Sequence, residues 1–485
     1  MKTWLLSILL LGYTSVIAQQ NVYQSFEVDS AAEPRGGITT FNTFLQANLR
    51  KPIQAEAEGK GGVIVLSGVV EPDGHVSNLT TIKSLRPDCD REAMRVVNLF
   101  RVWKPAQKGG QIVRQQVSIP VVFKPNTPFI YQKGTMVAYF DANKQPVPVG
   151  SDLIVYRQIM PLDTNGLPTD DLVLYKKDGK VWDESYRDPF VREKKGQPSS
   201  SGRPVYSIGY QSAVRNWNGY VYTVNQTGKL MQEAHYTDGK LSGEQVVYYT
   251  SGMVAEKQEY ADTKKTMTSW YPNGQIKQVQ QTNTRVLSNA LVSDFMTGLW
   301  DSTGRQMVKE GNGWASLTQR VKSNSDTIRQ TSYVEQGAYQ NGTKQGMWTG
   351  RYGDGSYFYE EHYNKGIFQT GKAYSAGADT VRYDELEQQP KFSGGMPGLS
   401  EFLQKTLGYP ADAQRSGAQG KVFVSFVVCA DGTLCDYEVF KSVHPSLDRE
   451  AVRVVQKMSG YWTPGMQRGR RVPVKYNMPI NFTLY

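Results

Sequence analysis

Apolar and polar positions fall in the same order twice along the chain, once near the start and once over residues 391–485. In the later stretch Ala451, Val454, Val455 and Met458 recur at offsets of 3, 4 and 7, which sets them on one helix face, and Asp448 before them is a good N-cap. Upstream, residues 421–428 are β-branched and aromatic, Asp431-Gly432 is a turn pair, and residues 437–443 resume extended character. A hairpin therefore precedes that helix. Residues 399–407 read as a shorter helix stopped by Gly408 and Pro410. Residues 471–484 close the stretch as a strand interrupted by Pro473 and Pro479. Proline removes a ladder donor, so that strand is expected at a sheet edge.

Subtracting 358 from a number in this stretch gives its twin: Gly394-Gly395 falls on Gly36-Gly37, Pro410 on Pro52, Gly420 on Gly62 and Asp431-Gly432 on Asp73-Gly74. Asp448-Arg449-Glu450-Ala451 falls likewise on Asp90-Arg91-Glu92-Ala93. After one inserted residue the shift is 359, setting Trp462 on Trp103, Pro464 on Pro105, Pro479 on Pro120 and Phe482 on Phe123. Register kept over such a length marks one domain used twice. The first copy sharpens the hairpin, since Glu71-Pro72-Asp73-Gly74 puts proline at the second position of a type I turn and glycine where positive φ is needed.

Between the copies, from residue 126 to 389, an aromatic residue is followed within a few positions by a polar-glycine turn and a return to extended character. Tyr236-Thr237-Asp238-Gly239, Tyr249-Thr250-Ser251-Gly252 and Tyr271-Pro272-Asn273-Gly274 are examples, and Gly337-Ala338-Tyr339 and Gly350-Arg351-Tyr352 repeat the theme thirteen residues apart. Such units predict successive hairpins in an antiparallel meander whose Tyr and Trp rows pack across strands. Residues 197–203, rich in Ser, Gly and Pro, read as a loop, and the pattern fades around 281–290.

The order helix, strand, strand, helix, strand, with Tyr409-Pro410, Ala413, Gly417, Gly420 and Asp431-Gly432 at these spacings, resembles the C-terminal domain of the TonB family. In the first copy Lys51 stands where Tyr409 does, while Pro52 is kept. The resemblance implies an α+β chain: two domains, each an antiparallel three-stranded sheet with two helices, flanking an all-β repeat meander. It implies binding of an extended segment of an outer-membrane receptor, or another envelope protein, by strand addition at a sheet edge. The residues expected to carry this are Tyr409, Pro410, Val472, Val474, Tyr476 and Met478. The central units resemble MORN-type and related antitoxin-like β repeats.

Residues 1–18 carry one Lys, an apolar run and small residues before Ala18, which reads as a secretory signal peptide cut after Ala18. A retained anchor is the alternative, though the run falls short of the roughly twenty residues a span needs. Export with a TonB-like domain places the chain in the periplasm or cell envelope of a Gram-negative-type bacterium. The divisions are then 1–18, 19–125, 126–389 and 390–485. Net charge is +10, and Arg468, Arg470 and Arg471 form a small basic cluster that reads as solvated surface, because no nucleic-acid motif accompanies it. Of three cysteines, Cys89 faces Leu447 in the twin alignment and reads as core. Cys429 and Cys435 flank the second hairpin and are candidates for a disulfide, but as diagonal neighbours they are expected to lie too far apart for a relaxed bond.

Catalytic chemistry is not indicated. Residues 366–373 have phosphate-loop spacing, yet Ala373 stands where a hydroxyl should hold Mg²⁺. His75, His235, His362 and His444 are scattered, with no metal spacing, and there is no Gly-x-Ser-x-Gly elbow. No catalytic, cofactor or metal residue is assigned. Two readings stay open. One is a non-enzymatic, TonB-like envelope binding protein that takes partners by strand addition, in TonB-dependent transport across the outer membrane. The other is a structural or surface-interaction repeat protein, touching glycan or protein through its β repeats, with the end domains as docking modules and no energy transduction.

Overall fold

A computed structural model describes residues 21–195, 204–261, 263–283, 294–323, 328–484. The expected leader at 1–18 and the expected loop at 197–203 lie outside these residues, as does most of the fading stretch at 281–290. The fold is α+β and divides into two compact units, Met1–Val286 with Met296–Gln306, and Leu287–Phe295 with Met307–Tyr485. No helix among the described residues is long and apolar enough to cross a membrane.

The first copy begins with a short strand, β1 (Val22–Tyr23), then α1 (Gly37–Asn48), α2 (Ile53–Ala57), the hairpin β2 (Gly62–Val70) and β3 (Val76–Lys83), α3 (Pro87–Leu99) and the long β4 (Gln111–Phe123). The second repeats it as α4 (Gly395–Thr406), α5 (Ala411–Arg415), the hairpin β5 (Gly420–Val428) and β6 (Leu434–Lys441), α6 (Pro445–Lys457) and β7 (Val474–Phe482). Each copy holds three helices, one more than the pattern predicts. The extra one is five residues long and opens on an extended proline N-cap, Pro52 or Pro410, so the expected stop is also a start. Both α1 and α4 begin after a left-handed glycine, Gly36 at φ +81° and Gly394 at φ +77°, a conformation that costs a side chain about 1–2 kcal/mol.

Helix α6 starts four residues earlier than Asp448 as an N-cap suggests. His444 is its N-cap, and its Nδ1 accepts from the Ser446 amide. Asp448 instead accepts from Ser442 Oγ at 2.5 Å and from the Val443 amide at 3.2 Å, closing the strand-to-helix corner. Asp90 does the same with Ser84 Oγ (2.6 Å) and the Leu85 amide (3.3 Å). The paired Glu and Arg of the duplicated motif form a second clamp. Arg453 binds Glu450 and donates to Thr406 O, while Glu450 accepts from the Gly408 amide, so α6 holds the end of α4. Glu92 and Arg95 bind the Arg50 amide and Asn48 O in the same way.

The repeats form antiparallel meanders in sequence order, from Phe190–Lys194 to Ile276–Asn283 in the first unit and from Asn312–Lys322 to Val381–Tyr383 in the second. Two-residue turns at Asp238-Gly239 and Asn341-Gly342 have both residues left-handed, as the type I′ hairpin requires. Longer turns at Tyr249–Met253 and Tyr271–Gln275 close with a Gly amide bonded back to the tyrosine carbonyl. In the first unit these longer turns rest on the first copy. Arg101 N donates to Asn273 O, Val254 N to Asn48 Oδ1, and a Cβ on Gly274 would lie 3.1 Å from Phe100 and 3.2 Å from Phe44. The core of the first copy accordingly runs on into Val246, Met253, Val254, Trp270 and Ile276. That of the second copy is built from residues between Phe392 and Phe482 alone.

In the second unit the glycines of Gly337-Ala338-Tyr339 and Gly350-Arg351-Tyr352 are strand residues lying under rings, not turn residues. Gly337 is paired with Trp348, Gly350 with Tyr359 and Gly371 with Tyr383, and a Cβ on any of them would stand within 2.4 Å of the opposing ring. The expected cross-strand packing of aromatics is present in this form. It also explains the phosphate-loop resemblance, since Gly366 belongs to a hairpin turn and Gly371 is the floor beneath Tyr383.

Candidate partner-binding edge

Strand β7 pairs with β5 from Gly420↔Phe482 to Val428↔Val474, and the order β6, β5, β7 puts it on the border of its sheet. No other strand pairs with it among the described residues. The expected single strand is broken at Pro473 into Arg470–Val472, which pairs with Gly465–Gln467, and β7 proper.

Pro479 decides which residues face the border. It has no amide hydrogen yet sits opposite Phe423 in an unbroken ladder, so its backbone must point away from β5. Residues of its parity, Lys475, Asn477 and Asn481, then direct their N–H and C=O to the free side. Their side chains are exposed. The twin strand obeys the same rule: Pro120 lies opposite Val65, and Val122 O accepts from Gln46 Nε2 on its outer side.

The sequence-derived residues fall on the inner face. Met478 is buried, and Tyr476 is half-buried with its ring 4.9 Å from Trp462 and 5.7 Å from Phe426. Val474 and Val472 are half-buried. The parity of Val474, Tyr476 and Met478 turns their backbone groups toward β5, whereas Val472 pairs with Gly465 in the preceding short hairpin. Tyr409 donates its hydroxyl to Ala418 O at 2.5 Å and packs on Phe482, at the far end of β7 from Val474, while Pro410 caps α5. The structure therefore does not gather Tyr409 and Pro410 with residues 472–476. Lys475 and Asn477, neighbours of the expected residues, are the ones whose backbone faces the border, and the spacing to Pro479 is a signal that finds them.

Cys429 and Cys435 are free thiols whose sulfurs stand 2.6 Å apart. Cys435 does oppose Val427, but Cys429 lies beyond the strand end in the turn, where the chain curls back and removes the expected diagonal separation. The Cys429 thiol pushes that of Cys435 up to about 11. Cys89 is fully buried, and burial raises its thiol to about 11 as well.

Of the basic cluster only Arg471 is exposed, and Arg468 and Arg470 are drawn into contacts. Arg468 Nε donates to Glu361 Oε1 at 2.6 Å, and its guanidinium lies 4.0 Å from the centre of the Tyr359 ring. Arg470 donates to Asp379 O.

In the first copy the corresponding border is not bare. β1 lies parallel to β4 with Val22 opposite Arg114 and Tyr23 opposite Gln115. Lys108 Nζ sits 4.2 Å over the Tyr23 ring, and Gln24 Nε2 donates to Gln116 Oε1.

A comparison with curated proteins finds none that matches the chain. The family described as Gram-negative bacterial TonB protein C-terminal matches residues 48–125 and 405–484, spanning α2 to β4 in one copy and α5 to β7 in the other. The chain thus carries two TonB C-terminal domains, one at each end.

Proposed function

We propose that this is a non-enzymatic cell-envelope binding protein that captures extended segments of partner proteins, outer-membrane receptors among them, by adding them as a strand to β7. The observation that supports it is a border strand paired on one side only, with three outward-facing residues and a rigid aromatic floor of Phe426, Trp462 and Tyr476 beneath. Main-chain bonds supply affinity in this mode, and side-chain pockets supply selectivity. The reading includes export to the periplasm and a contribution to TonB-dependent transport.

The test uses the full chain and labelled peptides copied from the N-terminal segments of outer-membrane receptors. Asn477→Pro removes an outward amide and leaves the β5 ladder intact, so affinity should fall about tenfold, the effect of roughly 1.4 kcal/mol. Tyr476→Pro would break the inner ladder and unfold the edge, and so is a poorer probe. Unchanged binding by the Asn477→Pro chain would sink strand addition at β7.

A second reading, in which the repeats do the binding, draws on one observation. A cavity of 320 Å³ in the first unit is lined by Tyr186, Tyr210, Tyr220 and Tyr222 with Asp188 and Asn218, a mixture of aromatic and polar groups suited to glycan or peptide. Its signature is binding that survives Asn477→Pro and is lost with Tyr220→Ala.

A further inference from the structure

The two copies enter their sheets differently, and this separates their roles. In both, the segment before the first long helix runs along the hairpin that precedes the border strand. Ser30 bridges Gln107 in the first copy, and its twin Gln388 pairs with Met466 in the second. Upstream the paths diverge. In the second copy Val381–Tyr383 is drawn into the repeat meander, pairing with Gly371 to Ala373, which leaves the border of β7 open. In the first copy the chain turns up beside β4 and becomes β1.

The docking is extensive for so short a strand. Asp29 N donates to Gln107 O at 2.8 Å, Gly109 N to Asp29 Oδ2 at 2.6 Å, and Ala32 N to Oε1 of the buried Gln115 at 2.6 Å. With the Lys108–Tyr23 contact and the Gln24–Gln116 amide pair, residues 22–32 form a strap along the border. The outward parity of Arg114 and Gln116 means that the ladder made by β1 uses the same backbone groups that an added partner strand would need at this end of β4.

We infer that the first copy is capped by the chain's own residues 22–32, so that partner capture runs through the second copy alone, and that displacing the strap opens a second, weaker site. This rests on strand addition as the mode of capture and assigns the copy that performs it. The first copy then serves mainly as a docking base, which agrees with its core being shared with the repeats.

Hydrogen exchange on the unmodified full chain tests the capping without any partner. The Arg114 and Gln116 amides should exchange at least about tenfold more slowly than those of Lys475 and Asn477, as expected for closed against open ladder groups. Equal rates would overturn the inference, whatever receptor peptides do at β7. The second arm works in the Asn477→Pro background, which weakens the second copy, and uses a synthetic peptide copying residues 21–34 as probe. The chain with an intact strap should bind none, whereas Tyr23→Pro, which removes a donor of β1, should lose Arg114 protection, bind one equivalent and regain the protection. Matched binding with and without Tyr23→Pro overturns the capping. Receptor peptides that ignore β7 while Arg114 stays protected would instead remove the proposed function and leave the capping standing.

Discussion

Glu361, a carboxylate with no solvent contact, is held by three donors in the second unit: Arg468 at 2.6 Å, Tyr363 at 2.9 Å and Tyr383 at 3.0 Å. Arg468→Ala would strand that charge and is expected to destabilise the unit by about 3–5 kcal/mol, read by denaturant unfolding. Adding Glu361→Gln should restore part of the loss, since the stranded charge is then gone. A second residue-scale expectation concerns Gly350, where a Cβ would stand 2.0 Å from Tyr359. Gly350→Ala should lower stability by about 1–3 kcal/mol through forced repacking, with a matching fall in Tm. Between the thiols, exposure to an oxidising buffer should close Cys429–Cys435, seen as a loss of two hydrogens by intact mass, while Cys89 stays reduced. Very little of this was legible in the sequence. Glu361 and Arg468 are 107 positions apart, and only a folded chain brings a surface-looking arginine onto a tyrosine-lined carboxylate.

At the scale of elements the reading was better, because period and turn chemistry are local. Both hairpins, both long helices of each copy and the border position of the last strand followed from alternation, Asp-Gly pairs and proline. What failed was parity and helix starts. Asp448 reads as a cap but is a corner clamp, and the strand residues chosen for their apolar character are those whose backbone is already used. The duplicated Glu-Arg clamp makes a pH statement possible. The hydrogen bond from Arg453 holds the Glu450 carboxyl below its ordinary 4.5, so the clamp contributes above that value and is lost as pH falls through and below it. Glu450→Gln should therefore be less stable than the parent chain by about 1 kcal/mol at pH 7, a modest figure because Arg453 is part-exposed, and the gap should close towards pH 3. Burial acts the other way on Glu233, raising its carboxyl, and that contribution is present at low pH and lost as pH rises through the raised value. An unchanged gap between pH 7 and pH 3 would refute the assignment to Glu450.

For the whole molecule, the duplication and the repeat meander were visible in the text of the chain, whereas the inequality of the two copies was not. It depends on which neighbour each leading segment meets. A difference in autonomy follows. The second copy has a closed core, so residues 391–484 alone should unfold cooperatively. Residues 21–125 alone should not, because Phe44, Phe100 and their neighbours lose Met253, Val254 and Trp270 as partners. Calorimetry of the two fragments measures this, and a sharp transition for residues 21–125 would contradict the shared core.

Pro479 has a last implication beyond choosing parity. A border that welcomes a guest backbone is also an invitation to identical molecules, and long uninterrupted borders are where sheets fuse into aggregates. Here one outward position in the middle of the strand offers a carbonyl and no hydrogen, so a guest can bond continuously only over the short run of Lys475 to Asn477. A margin that narrow suits a brief guest segment and works against edge-to-edge fusion of identical chains.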